Sequence, residues 1–556
     1  MSGQEPIGAA KPGVSHQRRA LAPAKSQLRA FAVVGLFLLI GCTLVLDFMH
    51  GIQLSQDRIA FQPVYRLRQS LAVAISRQHD PAPGGYLAYG SVVNVLSENG
   101  FALFDGDPGP HLDDRGYEAL LNDGPRLDRI IRQARDVSID PNLPPEVIKA
   151  NELGLADYIY VAFRLFGDKI SSLYYLLFLI MAVSCLIYLL QFRNSPFPLF
   201  LAALFLAELY ILENYASSTG LQLNTVANSR LFSGPSLLPA VHVLLVLWQR
   251  LPLRPFTAAG VVTQSLIFSF LLSCRFEAVW QAAMVVAVAG GMAICLLFAP
   301  GRLLPHKGAI GRLLILWPAV IFLLVVTGYS TTVSRRADAL YAADPKNHLF
   351  WHVVLFGILR TSPNLRSEYA SDVWSSPDEL VYAAVTRDIN ARNDASSPIV
   401  RRQPNGQLTL DLPSGWSEYD KLAKSLTLRI LYRHPLAVLA DLPAKVAFQV
   451  AAFDPRIHNM RWRSFGVPAA IVTLAAVLCV AAAGSTSDRR TRRGALYALA
   501  TVLLFAAVTP LIQPGSLSIG TLFCYLGAIA ILATCGIELL IRSLMQPEMK
   551  AHSDMT

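Results

Sequence analysis

The chain has 556 residues, 53% hydrophobic and 15% charged, and a formal net charge of +10. A charged share well below the roughly 25% of soluble domains, with recurring apolar runs of about 20 residues, excludes a water-soluble globular protein. The class is a polytopic helical membrane protein. Its positive balance follows from basic connections between spans. No basic segment is interleaved with aromatics, so nucleic acid is not an expected partner.

Residues 1–29 are rich in Gly, Ala, Pro, Ser and basic side chains, which predicts a disordered basic tail. A first span is predicted over 31–49, followed by a long polar loop over 50–169. Within that loop, 58–79 has an amphipathic pattern suited to the membrane surface. The run from Tyr86 has a helical pattern that stops at Asn99-Gly100. Residues 115–136 alternate Arg and Asp with apolar positions, which predicts a solvated amphipathic helix.

Six further spans are expected within 170–329, over 171–192, 196–212, 237–248, 256–274, 280–298 and 313–329. A second long segment covers 330–464. Three more spans follow within 465–542, over 465–483, 495–512 and 519–541, and a short tail closes the chain at 543–556. The fold class expected is therefore all-α and polytopic, with about ten transmembrane helices. Two large loops lie on one side.

Basic residues orient this bundle. Arg193, Arg250 and Arg254, then Arg302, Lys307 and Arg312, then Arg489, Arg490, Arg492 and Arg493 fall in alternate connections. They share a side with the basic tail and with Arg542 and Lys550. The positive-inside rule then places both termini in the cytoplasm and both long loops outside. The membrane expected is a bacterial inner membrane. The seven cysteines all lie in or beside apolar runs, and both long loops lack them. No disulfide framework is implied.

Several polar groups carry candidate chemistry. Asp47 and Asp57 stand at the outer end of the first span, and Asp80 precedes the helical run from Tyr86. A carboxylate there can act as general base on a hydroxyl acceptor. In the segment 343–357, Asp344 has the chemistry of an N-cap and Pro345 of a first helical residue. His348 and His352 then share one helix face. Two such histidines can hold a phosphate or a divalent metal. That metal is the one cofactor the pattern leaves open. Arg275 and Glu277 sit in the turn between two spans, where charge is costly unless paired or used. Arg275 suits a lipid-linked phosphate. Residues 416–434 and 435–453 predict two amphipathic helices whose lysines and arginines can meet anionic headgroups.

The order of tail, span, large outer loop, bundle and second outer segment resembles the GT-C superfamily of polyprenyl-phosphate-sugar-dependent glycosyltransferases. Three local strings carry the likeness: Tyr86 to Phe101, Asn151 to Gly167, and His348 to His352. The family's acid stands one turn before the tyrosine of its first-loop helix. Here that place is Ala82, and the nearest acid is Asp80. The resemblance implies transfer of a sugar from a polyprenyl-phosphate carrier to an extracytoplasmic glycan or lipid. Asp80 would be the base, with Asp57 as substitute, and Arg275, His348 and His352 would steady the leaving phosphate. A non-catalytic membrane scaffold, or a lipid-glycan carrier or transporter, is the alternative from a different class.

Overall fold

The computed structural model describes residues 30, 33–42, 44–45, 64–101, 120, 123–147, 153–195, 198–199, 201–203, 205–206, 232, 234–275, 278–298, 314–339, 350–370, 377–411 and 415–441. The expected spans eight to ten, and most of the third, lie outside these residues.

The described chain is overwhelmingly helical. It opens with α1 (Val33–Cys42) and α2 (Val64–Ser76). A two-residue strand β1 (Leu87–Ala88) and α3 (Gly90–Glu98) follow, then α4 (Gly124–Asp136), β2 (Glu146–Val147) and α5 (Leu153–Phe166). The bundle proper is α6 (Ser171–Phe192), α7 (Leu237–Trp248), α8 (Pro255–Cys274), α9 (Val279–Phe298) and α10 (Trp317–Arg336). Four helical stretches are long and apolar enough to cross a membrane, namely 171–192, 255–274, 279–298 and 314–336. The chain is a membrane protein.

Local sequence explains the ends of these elements. Asp123 caps α4 by accepting from the backbone N–H of Arg126 at 3.0 Å, and a proline occupies its first turn. Asn99 closes α3, and Gly100 turns the chain with φ of 97°. Pro255 opens α8, where a missing N–H costs nothing.

The segment read as a surface helix behaves differently. Over 69–76 every residue of α2 is buried, and the helix packs on α5 and α3. The run LAVAIS has no polar face, so it is buried all round. β1 also pairs with the distant β2, Leu87 opposite Val147 and Ala88 opposite Glu146. The first loop is therefore folded onto the bundle. Inside the bundle, Ser184 on α6 and Gln264 on α8 exchange two hydrogen bonds of 2.8 Å, joining two spans through a buried polar pair.

A second hydrophobic cluster is built by α11 (Phe350–Thr361), α12 (Pro363–Tyr369), α13 (Pro377–Arg392) and α14 (Trp416–Arg433), with α15 (Pro435–Ala440) after them. A small hairpin, β3 (Val400–Arg402) with β4 (Leu408–Leu410), joins α13 to α14. Asn390 clips the hairpin to α13 by donating to Leu408 O at 2.7 Å and accepting from Leu408 N at 2.8 Å.

Candidate functional site

The polar heart of the first region forms where α2 ends. The helix frays over Arg77, Gln78 and His79. The chain then turns through Asp80 and two prolines into Gly84, Gly85 and Tyr86. Gly85 and Tyr86 both adopt left-handed backbone, with φ of 68° and 59°. Glycine does this freely, whereas a tyrosine there is strained by about 1–3 kcal/mol.

What holds Tyr86 in place is its side chain. Its hydroxyl donates to Asp157 Oδ2 at 2.7 Å. The Arg77 guanidinium stacks on its ring, 4.2 Å from the centroid. Arg77 also donates to Asp157 Oδ1, forming an ion pair. Hydrogen bonds to a charged group contribute about 1.5–3 kcal/mol each, enough to offset the backbone strain. Burial, and then the negative charge of Asp157, push the Tyr86 hydroxyl well above its ordinary pKa, so it remains a donor.

The bundle closes on this cluster from two further sides. Asp157 sits on α5, one turn beyond Gly154. Gly154 lets α5 meet the end of α8: a Cβ added there would lie 1.9 Å from Ser273 Oγ and 2.5 Å from the Ser273 carbonyl carbon. The Cys274 thiol donates to Gly154 O at 3.3 Å. Just past α10, Asp338 N donates to Gly85 O at 3.0 Å. Tyr329 on α10 lies within electrostatic reach of both Asp157 and Arg336. The first-loop turn, the start of α5, and the ends of α8 and α10 thus converge at one end of the bundle.

The expected site residues fall into three groups. Asp80 is exposed on the turn, three residues from Arg77. Arg275 follows α8 at the same end, and it is buried. Its backbone N–H closes the helix on Leu271 O and Leu272 O, and its carbonyl accepts from Ala278 N. His352 belongs to the other hydrophobic cluster. It is buried, with Nδ1 2.7 Å from the Tyr419 hydroxyl and its ring against Tyr382 and Tyr419. Reaching a phosphate from there requires that cluster to open. Asp57, Asp47, His348 and Glu277 lie outside the described residues. The N-cap expected of Asp344 also lies outside them. At the start of α11, Asp420 accepts from the backbone N–H groups of Trp351 and His352, at 3.0 and 3.3 Å.

Sequence reasoning gave Asp157 and Arg77 no role, and took Tyr86 only as the start of a helical run, whereas α3 begins at Gly90. The one available signal was a lone acid in the otherwise apolar run LGLADYIYVAF. The exposed Arg335 and Arg336, at the end of α10, are further cations near this end of the bundle. Other first-loop acids are structural. Asp168 accepts from Arg135 and, at 2.9 Å, from Gln78. Asp128 accepts from Ile170 N at 2.9 Å, tying α4 to the start of α6. Among the described residues no group of three or more His, Cys, Asp or Glu side chains gathers as a metal would require.

The fold and this cluster define a helical membrane protein with a polar site at one end of its bundle. Comparison with protein-family models, curated proteins and solved structures finds no match in any of the three.

Proposed function

We propose that the chain is an integral membrane glycosyltransferase of a bacterial inner membrane, with both termini cytoplasmic and the site facing the cell envelope. It moves a sugar from a polyprenyl-phosphate carrier to an extracytoplasmic glycan or lipid hydroxyl. The observation that carries this reading is the turn from Asp80 to Tyr86 meeting the end of α10 through the Asp338 N to Gly85 O bond, at the end of the bundle that also carries Arg336 and Arg275. Arg77 neutralises Asp157 and Tyr86 donates a hydrogen bond to it, so Asp157 is the scaffold of the site. Asp80 is the open acceptor for a proton.

In the reaction, Asp80 takes the proton of the acceptor hydroxyl as its oxygen bonds the anomeric carbon. The bond from that carbon to the phosphate oxygen breaks, and polyprenyl phosphate leaves with the electron pair. Charge grows on the leaving phosphate, where the exposed Arg336 supplies positive charge; Arg275, as buried as His352, reaches it only if the end of α8 opens. The resemblance of the Tyr86 to Phe101 string to the first loop of the GT-C superfamily points the same way. A non-catalytic scaffold is the second reading, favoured by how completely Arg77 and Tyr86 occupy Asp157.

The test uses the full chain in proteoliposomes with a panel of polyprenyl-monophosphate-linked sugars, following release of polyprenyl phosphate. Asp80→Asn should lower turnover by a factor on the order of 100 while the fold persists. Asp57→Asn is the matched control, and loss there alone moves the base to Asp57. Absence of release by the unaltered chain across the panel, with envelope defects on deletion rescued by Asp80→Asn and Asp57→Asn alike, would leave the scaffold.

A further inference from the structure

α14 presents two faces of opposite use. Tyr419, Ala423, Leu426 and Ile430 are fully buried and face the second hydrophobic cluster. At about 100° per residue, the opposite stripe is Lys421, Lys424, Ser425, Leu428, Leu431 and Tyr432, and every member is exposed. The chemistry of that stripe changes along the helix. Its first half is cationic and its last half is apolar. The apolar half continues into α15, where Leu436 and Leu439 are 78% and 58% exposed, and Tyr432 beside them is 88% exposed. Scattered single leucines on a surface need no explanation. Five large apolar side chains gathered at one helix corner do.

From this gradient we infer that the α14–α15 corner is a monotopic anchor that docks on the chain's own bilayer, at anionic phospholipid. Leu428, Leu431, Tyr432, Leu436 and Leu439 enter the boundary between headgroups and acyl chains, and Lys421 and Lys424 meet the phosphates. Three observations favour a bilayer over a protein partner. A tyrosine flanked by leucines, with lysines about two to three turns away, is the order a membrane interface sorts. The cations keep their reach: Lys421 pairs with Glu418 yet stays exposed, and Lys424 stands 5.6 Å over the Trp351 ring. The bilayer is also close at hand. Only 13 residues separate the end of α10 at Arg336 from the start of α11 at Phe350, at most about 45 Å of chain. The inference rests on the membrane spans and not on glycosyl transfer.

The full chain is reconstituted in nanodiscs of phosphatidylethanolamine and phosphatidylglycerol, with a photoreactive side chain introduced as Tyr432→p-benzoylphenylalanine or Leu436→p-benzoylphenylalanine. The exposed Asn405 in the β3–β4 turn serves as control position. Irradiation should yield phospholipid adducts at 432 and 436 and not at 405. Lys421→Gln and Lys424→Gln should each lower the yield at 432, by about fivefold per lysine on an anionic surface, and less on phosphatidylcholine alone. Adducts only to residues 442–464 or to a second copy, or lipid yields at 432 and 436 no higher than at 405, overturn the anchor. Equal yields on both lipid surfaces with and without the lysines overturn its headgroup contacts.

Discussion

The two hydrophobic clusters each enclose a polar group, and they build it from opposite materials. In the first, Arg77, Tyr86 and Asp157 arrive from segments about 80 residues apart, one of them on strained backbone. In the second, His352, Tyr419 and Asp420 come from two regular helices that pack together although His352 stands 67 and 68 positions before the other two, and Asp420 occupies the position of a helix cap. Left-handed backbone occurs in both regions, at Tyr86 and at Asn393, but only in the first does the strained residue itself hold the polar group, and strain of that kind accumulates at functional sites. The second polar group consists of a histidine and a capping acid, each satisfied within its own core. The contrast moves attention from the histidine pair to the loop-and-bundle junction.

The steepest way to break the first region is at its closest approach. Gly154→Val puts branched carbon where Ser273 already sits. Overpacking costs about 1–3 kcal/mol and occasionally more, and contact with backbone places this case at the top. Loss of monodisperse protein in detergent is expected, and an unfolding midpoint equal to that of the unaltered chain would refute the packing.

Asp157→Asn comes next, at about 2–3 kcal/mol. This is less than the 3–5 of a fully buried broken pair, because Arg77 and Asp157 keep 18% and 16% of their side chains exposed. A second substitution, Arg77→Met, should return part of the loss, since an uncompensated guanidinium is then gone. Additive losses in the double variant would mean the pair is not coupled.

Much of this was readable beforehand, and the boundary is physical. Spans such as Ser171–Phe192 and Pro255–Cys274 announce themselves by hydropathy alone. The stop at Asn99-Gly100 and a helix within the expected 115–136, found over 124–136, follow from local residue chemistry. The Arg77–Asp157 pair does not, because nothing local in either segment names a partner 80 positions away. The burial of α2 was hidden by its polar start, Tyr65 to Gln69, which gave an amphipathic pattern to a helix whose latter half has no polar side. Asp420 was hidden for the same reason as Asp157. A cap supplied by a distant helix leaves no mark near the helix it caps.

Two smaller effects sharpen the second region. Asp420→Ala leaves the Trp351 and His352 backbone donors without their carboxylate, at a cost of about 1–2 kcal/mol. Faster amide exchange across 350–370, with no change in 153–192, is the expected signature. Tyr419→Phe removes the hydroxyl bonded to His352 Nδ1, for about 1 kcal/mol. Exchange as slow as in the unaltered chain would show that the hydroxyl contributes no stability.

Asp420→Asn should have the smallest effect, within about 0.5 kcal/mol of the original, and its sign depends on pH. The amide oxygen still accepts from Trp351 and His352 N–H. Burial raises the Asp420 pKa, and the two backbone donors oppose that only in part. The folded state therefore binds the proton more tightly than the unfolded chain. The stability Asp420 contributes through that proton is full below the unfolded value of about 4 and is lost as pH rises through the folded one. An asparagine is neutral throughout and resembles the protonated acid. Relative to the unaltered chain, the variant should match it in acid and equal or exceed it at neutral pH. Denaturation of the full chain at the two pH values, followed by exchange within 350–370, measures that difference. A variant that is weaker at neutral pH than in acid, relative to the unaltered chain, would mean that the two donors outweigh burial and that the carboxylate charge is part of the cap.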